Sequence, residues 1–313
     1  MTYKLSVEGK SIEGIAGNLS WSSDSETLGQ SLSFEMPFDK DGGLFPTAFI
    51  EPGNKVTLRY NSDLVFFGVV VDEDADGEKP RKYTCFDLAF YLNKSSVTMQ
   101  FNNVSATAAI EELCKKFNIK CAVTAIPTKI KKIYKSTVVS EVLKDILTIA
   151  EEKTGNKYRF EMQGDTLVIF MWKDRHVKVE TKWISNPKRS RSIENMKNSI
   201  EIVSGDEKKT KLLATAKDDA SIKKYGLLQE SHTIDDKEKG TAKTVAANLL
   251  KELNRIQEEG SVSLLGNYEV RAGRLITIEE PYTGLQGDYY IKNASHTISN
   301  GIHLMNLSLG VVE

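Results

Sequence analysis

AGRLITI, residues 272–278, opens a glycine-punctuated run of sequence that extends to Leu309 near the end of the chain. It is followed by GLQGDYYI, residues 284–291, and then by the stretch from His296 to Leu309. Here β-branched and aromatic residues are bounded by Gly, Pro and Asn, a composition typical of short antiparallel strands joined by turns. We therefore predict an all-β module at this end of the chain.

A similar pattern occurs near the front of the chain and indicates a degenerate internal repeat. In both places a glycine precedes two alternating apolar residues, and a turn, longer in the rear copy, leads to an aromatic pair. Because self-similarity within a chain indicates repeated units, we predict two related β-modules. The corresponding positions, front and then rear, are Gly53 and Gly273, Val56 and Ile276, Leu58 and Ile278, Phe66-Phe67 and Tyr289-Tyr290, and Val69-Val70-Val71 and Ile291.

The length and composition describe a globular protein of several domains. The 313 residues suit two or three domains of ordinary size, and 40% hydrophobic with 27% charged residues excludes a disordered or fibrous chain. A formal net charge of -1 gives no global basic field, so we expect no sequence-specific binding to nucleic acid. No apolar run approaches the ~20 residues of a membrane helix, so we expect no membrane insertion.

The N-terminus and the cysteines bear on the compartment. Met1 to Val7 alternates polar and apolar residues and lacks the hydrophobic segment of a secretory signal. Cys85, Cys114 and Cys121 are too few for a disulfide framework, and their spacing matches no zinc site. We expect synthesis and folding in a reducing cytoplasm without a signal peptide.

Three domains are predicted, which together give a mainly β fold with an α+β insert. Residues 1–95 alternate apolar and polar positions, as in Leu32 and Phe34, and are predicted to form a first small β-barrel or sandwich. Residues 96–175 are predicted to form a helical α/β insert domain. Residues 176–313 are predicted to form a second β-barrel with one covering helix.

Apolar residues at helical spacing predict three amphipathic helices. The first runs from Ser105 to Phe117, with Ser105 as its cap. The second runs from about Thr137 to Lys153, and Gly155 is placed to end it. The third, Thr241 to Glu259, is predicted to plug or cover the rear sheet.

Two polar stretches of the rear part are predicted to be loops. One is Ser204 to Lys217, interpreted as a hairpin tip or loop. The other is the basic run Pro187-Lys188-Arg189-Ser190-Arg191, with Lys197 close by. Such a run could contact phosphate or an acidic partner surface, but five residues of this kind are more often a solvated loop.

An acidic run is a weak candidate for a calcium site. Asp72, Asp74, Asp76 and Gly77 match the opening of a calcium-binding loop, in which alternating carboxylates face one cation. The twelfth position, which should be a bidentate glutamate, is Tyr83, and the flanking segments are predicted strands. A solvated acidic hairpin tip is the favoured interpretation, with a structural Ca²⁺ as the alternative.

Motifs of catalysis and cofactor binding are not found in the sequence. The four histidines, none of them in a zinc-type spacing, are interpreted as single structural residues. Cys114 lies on an apolar helix face, and the sequence has no nucleophile elbow, P-loop or dinucleotide fingerprint. We predict no enzyme activity and no cofactor. The histidines are His176, His232, His296 and His303.

Taken together, these residues resemble the baseplate hub family of contractile tails. That family includes the phage late control D proteins, the XkdQ/YqbQ-type hubs and the N-terminal part of the type VI secretion spike protein VgrG. The resemblance is carried by Gly240 to Leu309, where a helix precedes glycine-marked strands, and by PGNKV at 52–56 and FFGV at 66–69. It covers nearly the whole chain, and the order of modules contributes most to it.

The resemblance implies a structural role without a chemical reaction. A homotrimer would present six barrels in a ring, which lets it join a hexameric tail tube to a threefold central spike. The insert would face outward toward other baseplate subunits, and the spike would be a separate polypeptide. The hub would hold tube and baseplate together in a phage tail, tailocin or related particle and travel with the tube when the sheath contracts.

Two other functions stay open at the level of sequence. A module that binds peptidoglycan or another surface glycan would expose an aromatic cluster, for which Trp21, Trp172 and Trp183 are the candidates. Their isolation in sequence favours a core role instead. A cell-wall hydrolase would need a cleft carboxylate or a metal site, and the sequence indicates neither.

Overall fold

A computed structural model of the chain describes residues 3–38, 50–181, 183–205 and 210–312, except for the side chains of 236–238. The described residues of the front of the chain form seven strands, and apolar and polar residues alternate as predicted in the strand Gln30–Met36, whereas the strand Asp63–Asp74 contains a continuous non-polar run. They are β1 (Tyr3–Val7), β2 (Lys10–Ser11), β3 (Gly17–Asp24), β4 (Gln30–Met36), β5 (Lys55–Tyr60), β6 (Asp63–Asp74) and β7 (Arg81–Asp87).

The middle of the chain contains three helices and five strands. Its elements are α1 (Ala89–Lys94), β8 (Ser96–Ser105), α2 (Ala106–Lys116), β9 (Lys120–Val123), β10 (Lys129–Val138), α3 (Val139–Thr154), β11 (Tyr158–Gln163) and β12 (Thr166–Met171). The helix predictions are confirmed in detail here: the Ser105 hydroxyl accepts from the Ala108 amide, and Gly155 ends α3 in the left-handed conformation.

The rear of the chain contains nine strands and two helices, besides short 3₁₀ turns at Trp172–Asp174 and Asp236–Thr241. These elements are β13 (His176–Val177), β14 (Ser185–Ser192), β15 (Ser199–Ser204), β16 (Lys211–Lys217), α4 (Asp219–Tyr225), β17 (Gln229–Ile234), α5 (Ala242–Leu253), β18 (Gln257–Leu265), β19 (Leu275–Glu280), β20 (Leu285–Ser299) and β21 (Ile302–Val311). In the described residues, no helix is both long enough and apolar enough to cross a membrane.

One sheet of 13 strands joins the front and the rear of the chain. Its main path runs β14-β18-β21-β20-β3-β4-β7-β6-β5-β1-β2, and β19 and β13 continue from β20 on a branch. The link between the halves is the antiparallel pair formed by β3 and β20.

The two halves of this sheet have the same strand order. Six strands in each half, numbered along the chain within that half, lie in the order 1-4-5-6-3-2. In the front half these strands are β1-β5-β6-β7-β4-β3, and in the rear half they are β13-β19-β20-β21-β18-β14. Their pairings are antiparallel, except that β13 runs parallel to β19. Front and rear are therefore related in topology, as the internal repeat predicts.

Matching hydrogen bonds align the two halves residue by residue. The Gly53 amide donates to the Val70 carbonyl at 2.8 Å, and the Gly273 amide donates to the Ile291 carbonyl at 2.8 Å. Both glycines have positive φ, 98° and 84°, a conformation that other residues rarely adopt. The glycines of the predicted repeat are thus equivalent in the fold.

The aromatic pairs of the predicted repeat are not equivalent. Val56 lies opposite Gly68 in the front hairpin, whereas Ile276 lies opposite Tyr289 in the rear hairpin. The rear aromatic pair therefore corresponds to Gly68 and Val69, two positions after the front pair Phe66-Phe67. The sequence comparison was wrong here because aromatic residues can occupy either side of a hairpin turn of variable length.

Closure of either half into a barrel stays a prediction. In the described part of the chain, backbone hydrogen bonds do not join β1 to β3 or β13 to β14, the outer strands of each order. The front sheet is nevertheless rolled, because the ring of Tyr3 on β1 lies 5.5 Å from that of Trp21 on β3. Each half encloses its own cluster of buried apolar residues.

The predicted covering helix differs in length and in partner. α5 ends at Leu253 rather than Glu259, because Gln257 already begins β18 and pairs with Ser192. It packs on a separate three-stranded sheet, β16-β15-β17, and not on the large rear sheet. Most of the predicted loop from Ser204 to Lys217 belongs to this small sheet, since Lys211–Lys217 forms β16.

Candidate functional site

The junction between the halves brings together residues from opposite ends of the chain. Residues 19–24 of β3 pair with residues 293–298 of β20 in an antiparallel ladder. The Ala272 amide also donates to the Ser23 hydroxyl at 2.9 Å, which fastens the segment before β19 to the same strand. The relative position of the halves is thus set by continuous backbone pairing.

An aromatic and histidine cluster lies on this junction. Trp21 is 3% exposed, and its ring stacks on that of His296 with centroids 4.8 Å apart and planes 3° from parallel. Tyr3 and His303 pack against the same tryptophan, with ring centroids at 5.5 and 4.9 Å. A buried stack of this kind contributes packing area as well as a specific ring geometry.

The two histidines form a hydrogen-bonded chain whose proton positions follow from its end. His296 Nε2 lies 2.9 Å from the Val270 carbonyl oxygen, which can only accept, so Nε2 carries the proton. His303 Nε2 then donates to His296 Nδ1 over 3.0 Å, and the Tyr3 hydroxyl donates to His303 Nδ1 over 2.8 Å. Both rings are neutral in this arrangement.

Burial keeps these rings neutral under ordinary conditions. It lowers the pKa of His296 to about 3, and the proximity of His303 adds to the effect. It also lowers the pKa of His303 to about 4. A buried imidazolium would lose hydration without a carboxylate to compensate it.

The interpretation of the histidines as single residues is wrong for this pair. Ile298 lies opposite His303 across the β20–β21 hairpin, which places His296 one diagonal step away on the same face. The signal that could have revealed the contact is the Asn300-Gly301 turn, because it fixes the register of the hairpin. His176 contacts the Thr277 hydroxyl at 3.1 Å instead.

His232 differs from the buried pair in its charge partner. Its Nε2 lies 3.6 Å from a carboxylate oxygen of Glu152 on α3. The hydrogen bond with Glu152 raises the pKa of His232 above its ordinary value. This histidine therefore gains a proton more readily in the folded chain.

A buried ion pair fastens the middle of the chain to the rear half. The Arg274 guanidinium bonds both carboxylate oxygens of Glu161 at 2.6 and 3.1 Å, and the two side chains are 13% and 8% exposed. Burial acts to raise the pKa of Glu161, but the hydrogen bonds and charge of Arg274 outweigh it and hold the pKa below its usual value. Nearby Arg271 donates to the Met162 and Val65 carbonyls at 3.2 and 2.8 Å.

Asp87 is a further buried carboxylate near this point. It accepts hydrogen bonds from the Gln30 amide at 2.7 Å and the Ala89 amide at 3.0 Å. Burial raises the pKa of Asp87 to about 7, although these two hydrogen bonds and the charge of Arg271 act to lower it. Its carboxylate thus accepts one backbone amide at the start of β4 and one at the start of α1.

The acidic run lies at the end of β6 and in the turn that follows. Asp72 and Asp74 belong to the strand and are exposed, whereas Asp76 lies in the turn and pairs with Lys79 at 2.5 Å. Within the described ranges, no three His, Cys, Asp or Glu side chains are grouped as metal ligands would be. The run has the hairpin-tip placement of the favoured interpretation.

The basic run is a strand and not the predicted loop. Residues 187–191 lie within β14, whose ladder partner among the described strands is β18. Arg189 bonds a carboxylate oxygen of Glu258 at 2.5 Å, and Arg191 approaches the same oxygen at 3.6 Å. Lys197, in contrast, lies outside the strand and pairs with Glu230 at 3.2 Å. Charged residues are common on an edge strand, and this is a physical reason for the local composition.

The tryptophans and cysteines divide into buried and exposed positions. Trp172 is 5% exposed, as a core role requires, but Trp183 is 64% exposed and contradicts that prediction. Burial raises the pKa of Cys85 to about 12 and also raises that of Cys114. Both thiols are therefore inert small hydrophobes, whereas Cys121 is half-buried.

Comparison with known proteins identifies relatives along nearly the whole chain. A sequence profile described as YqbQ-like matches residues 19–310. The phage-like element PBSX protein XkdQ of Bacillus subtilis (strain 168) is 24% identical over 268 residues, which span 83% of this chain and 82% of XkdQ.

Solved structures show the same fold at lower identity. The 43 kDa tail protein of prophage MuSo2 from Shewanella oneidensis is 18% identical and has a TM-score of 0.72, covering 98% of this chain and 97% of that chain. The Escherichia coli protein c3393, a component of the type VI secretion system with structural similarity to the T4 tail proteins gp27 and gp5, is 8% identical with a TM-score of 0.56. That match covers 99% of this chain and 77% of c3393.

Proposed function

Because the chain belongs to the YqbQ-like family, we propose that it is a structural protein of a phage-type tail baseplate and serves there as the hub. The relatives named above include a protein of a phage-like element and a prophage tail protein. The chain would act in assembly and force transmission, and its mechanism needs no bond-making step. It is a non-enzymatic component in this proposal.

The observation that carries the proposal is the repeated strand order within one chain. Front and rear halves with the same 1-4-5-6-3-2 order, joined edge to edge, give each chain two similar units side by side. Three copies around an axis would present six such units, and these match a sixfold tube on one face and a threefold spike on the other. This geometry supports the proposal of a homotrimeric adaptor between tail tube and central spike.

The division of labour among the segments follows the same scheme. We assign residues 1–95 and 176–313 to the two ring-forming β-domains and residues 96–175 to an insert that faces other baseplate subunits. The buried pair of Glu161 with Arg274 would hold the insert rigidly against the ring, so that load on the insert reaches the rear half. The assembled protein belongs in the baseplate of a phage, tailocin or related particle.

The test is the native mass and shape of the purified full-length chain, alone and mixed with a purified central spike protein of a phage-type tail. We expect a species of three times the chain mass of 35.0 kDa, seen as a ring with an axial opening by electron microscopy. A twofold dimer, or a chain that stays monomeric even with the spike, would contradict the ring.

A glycan-binding tail module is the second candidate, and the exposed indole of Trp183 is the observation that favours it. Binding by this module would be lost in Trp183→Ala and kept in Lys223→Ala, which alters an exposed residue of α4. A pull-down with purified peptidoglycan separates the two functions, because the hub proposal expects no retention.

A further inference from the structure

Two segments of the large sheet carry opposite charges. The end of β6 and its turn carry Asp72, Glu73, Asp74 and Asp76, while β14 carries Lys188, Arg189 and Arg191. Along the main path of the sheet six strands lie between β6 and β14. Their charges are complementary, as on two surfaces that meet in different copies of a chain.

The internal junction shows what the second strand of a half can bind. β3 is the second strand of the front half, and its free side is covered by the distal part of β20, the fifth strand of the rear half. The equivalent second strand of the rear half is β14, which pairs with β18 on one side and has no second ladder partner among the described strands. The equivalent fifth strand of the front half is β6.

The distal part of β6 is open in the way that this junction requires. β5 pairs with β6 only as far as Val69, and the last backbone bonds on that side join Val70 to Asn54 and Gly53. Residues 72–74 pair with β7 on the other side, and their β5 side has no backbone partner among the described residues. Within the described part of the chain, this segment therefore has ladder groups that a neighbour could pair with.

The fifth strands of the two halves, β6 and β20, share a β-bulge that fixes which of their residues are equivalent. Val70 lies opposite Cys85 and Ile291 lies opposite Leu309, and in both strands one residue is then skipped before pairing resumes. Pairing resumes at Asp72 in β6 and at Asn293 in β20. Asp72, Glu73 and Asp74 therefore correspond to Asn293, Ala294 and Ser295.

Equivalent positions in the second strands follow from the same cross-strand rows. Trp21 lies opposite Leu32, which lies opposite Cys85. Arg189 lies opposite Gly260, which lies opposite Leu309. Trp21 and Arg189 are thus equivalent, and Ser22, Ser23 and Asp24 correspond to Ser190, Arg191 and Ser192.

We infer that the distal part of β6 in one copy pairs antiparallel with β14 of a second copy, and that this ladder is the contact between copies. Transfer of the β20–β3 register opposes Asp72 to Ser192, Glu73 to Arg191 and Asp74 to Ser190. Continuing the register past the end of β6 brings Asp76 opposite Lys188. Opposite charges directly across a ladder stabilise the pairing, and like charges disfavour it.

The charges are available for this contact. Arg191 is exposed and shares Glu258 with Arg189, which makes the shorter bond to that carboxylate. Glu73 bonds Arg81 at 2.5 Å within its own chain, and both of these side chains are about a quarter exposed. A neighbouring Arg191 would extend this pair into a network of three charges.

The proposed partner is a second copy of the chain, because each chain carries one β14 strand and one distal β6 segment that could pair with each other. A head-to-tail contact of this kind generates a ring when its rotation closes. The inference rests on the proposed trimeric hub and specifies which strands would form its interface. The junction between chains would then repeat the junction within each chain, with Arg189 in place of Trp21 and Ala75 in place of His296.

Cysteine cross-linking tests the register directly. Asp74→Cys and Ser190→Cys are prepared separately in a Cys121→Ser background of the full chain, with tags of different size, then mixed and oxidised with diamide. Opposed residues in a ladder have Cα atoms about 4.5–5.5 Å apart, within the range that a disulfide spans. We expect a covalent heterodimer only in the mixture, and covalent trimers from a chain that carries both substitutions.

Two controls calibrate the cross-linking. Ser22→Cys with Ser295→Cys in one chain occupies the equivalent opposed pair of the internal junction and should give an intrachain disulfide. Lys223→Cys mixed with Ser190→Cys reports random collision and should give little heterodimer. A mixture of Asp74→Cys and Ser190→Cys that behaves like this collision control overturns the inference.

Charge exchange gives a second measurement by native mass. Arg191→Glu should raise the concentration for half-association roughly tenfold or more, and combining it with Glu73→Arg should restore association. Lys223→Glu is the matched reversal away from the contact and should leave association unchanged.

The outcomes separate this inference from the hub proposal. A wild-type trimer without the specific disulfide rejects these strands as the interface and leaves the hub proposal standing. A specific disulfide from a chain that is otherwise monomeric supports the strands and weakens self-assembly of the ring. If the wild-type chain forms no trimer and the specific disulfide does not form, both this inference and the hub proposal are rejected.

Discussion

β3 and β14 hold the same place in the two halves of the molecule, but their surroundings differ. β3 lies between β4 and β20, and its central residue Trp21 is buried against His296. β14 lies at the end of the sheet path, and the equivalent residue Arg189 is exposed. One backbone arrangement therefore accommodates a dry, permanent junction and a charged, open edge, and the side chains decide which of the two is formed.

The largest expected effect is the loss of the buried tryptophan. Trp21→Ala should destabilise the junction by about 3–5 kcal/mol, because it removes a large buried side chain and leaves a cavity. The measurement is hydrogen exchange of the β3 and β20 amides together with thermal unfolding. Trp183→Ala, at a position 64% exposed, is the control and should change stability by no more than about 0.5 kcal/mol. Similar losses of stability for Trp21→Ala and Trp183→Ala would refute the contrast between the buried edge of β3 and the exposed edge of β14.

Breaking the buried ion pair should have the next largest effect. Glu161→Ala leaves the Arg274 guanidinium buried and uncompensated, which should cost about 3 kcal/mol or more in the free energy of unfolding. The exposed pair of Lys120 and Asp165, 2.6 Å apart with side chains 73% and 50% exposed, is the comparison. Asp165→Ala should cost far less than Glu161→Ala by chemical denaturation, because solvent screens this exposed pair. Equal losses would mean that the buried pair does not fasten the insert.

Acid should weaken the junction through its two histidines. Their folded pKa values of about 3 and 4 lie below the unfolded value near 6.5, so between pH 6.5 and 5 the unfolded chain binds protons that the folded chain does not. Each histidine then removes up to about 1.4 kcal/mol of stability per pH unit as the pH falls. The measurement is the free energy of unfolding at several pH values for wild type and for the double variant His296→Gln with His303→Gln, whose slope should be smaller.

The other titrating groups serve as internal controls for this pH dependence. Asp87, with its pKa raised to about 7, stabilises the folded chain as the pH falls, and it does so in both proteins, so it cancels in the comparison. His232, with a raised pKa, loses its contribution as the pH rises through its folded value, so His232→Gln should keep the acid sensitivity of wild type. An unchanged slope in the double variant would mean that the histidine pair is not neutral in the folded chain.

The smallest effect tests the equivalence of the halves themselves. Gly53→Ala and Gly273→Ala should each cost about 1–2 kcal/mol, because both force an L-residue into positive φ. An added Cβ would meet no atom within 4 Å at Gly53, and at Gly273 it would meet the Arg159 side chain at ordinary contact distances of 3.6 Å or more, so strain and not space sets the loss. Gly17→Ala, where φ is ordinary, is the control. Losses that differ by more than about 1 kcal/mol would break the equivalence.

Local patterns predicted the local elements well. The helices α2 and α3, with Ser105 and Gly155 at their ends, follow from residues a few positions apart, and so do the strands on either side of Gly164. The glycines of the repeat were also predictable, since positive φ restricts the residue type. These features depend on short-range sterics and on burial of one face.

Long-range features could not be read from the sequence in the same way. The pairing of Trp21 with His296 joins residues at opposite ends of the chain, and nothing in either local pattern specifies the other. The small sheet on α5 could not be predicted because β16 has the pattern of a loop, with four of its seven positions exposed and two half-buried. The basic run, residues 187–191, is predicted as a loop from its sequence because Pro187 and exposed charges are typical of both loops and edge strands.

The β3–β20 ladder also has a consequence for synthesis on the ribosome. The front half has its own buried core and can fold once Asp87 has emerged, yet β3 must wait for Ile298 before its free side is covered. During most of translation the side of β3 that later binds β20 is an unpaired strand edge. Neighbouring nascent chains on one messenger RNA expose the same edge to each other. We expect yield to depend on chaperone capacity and elongation speed far more than on the stability of the finished fold.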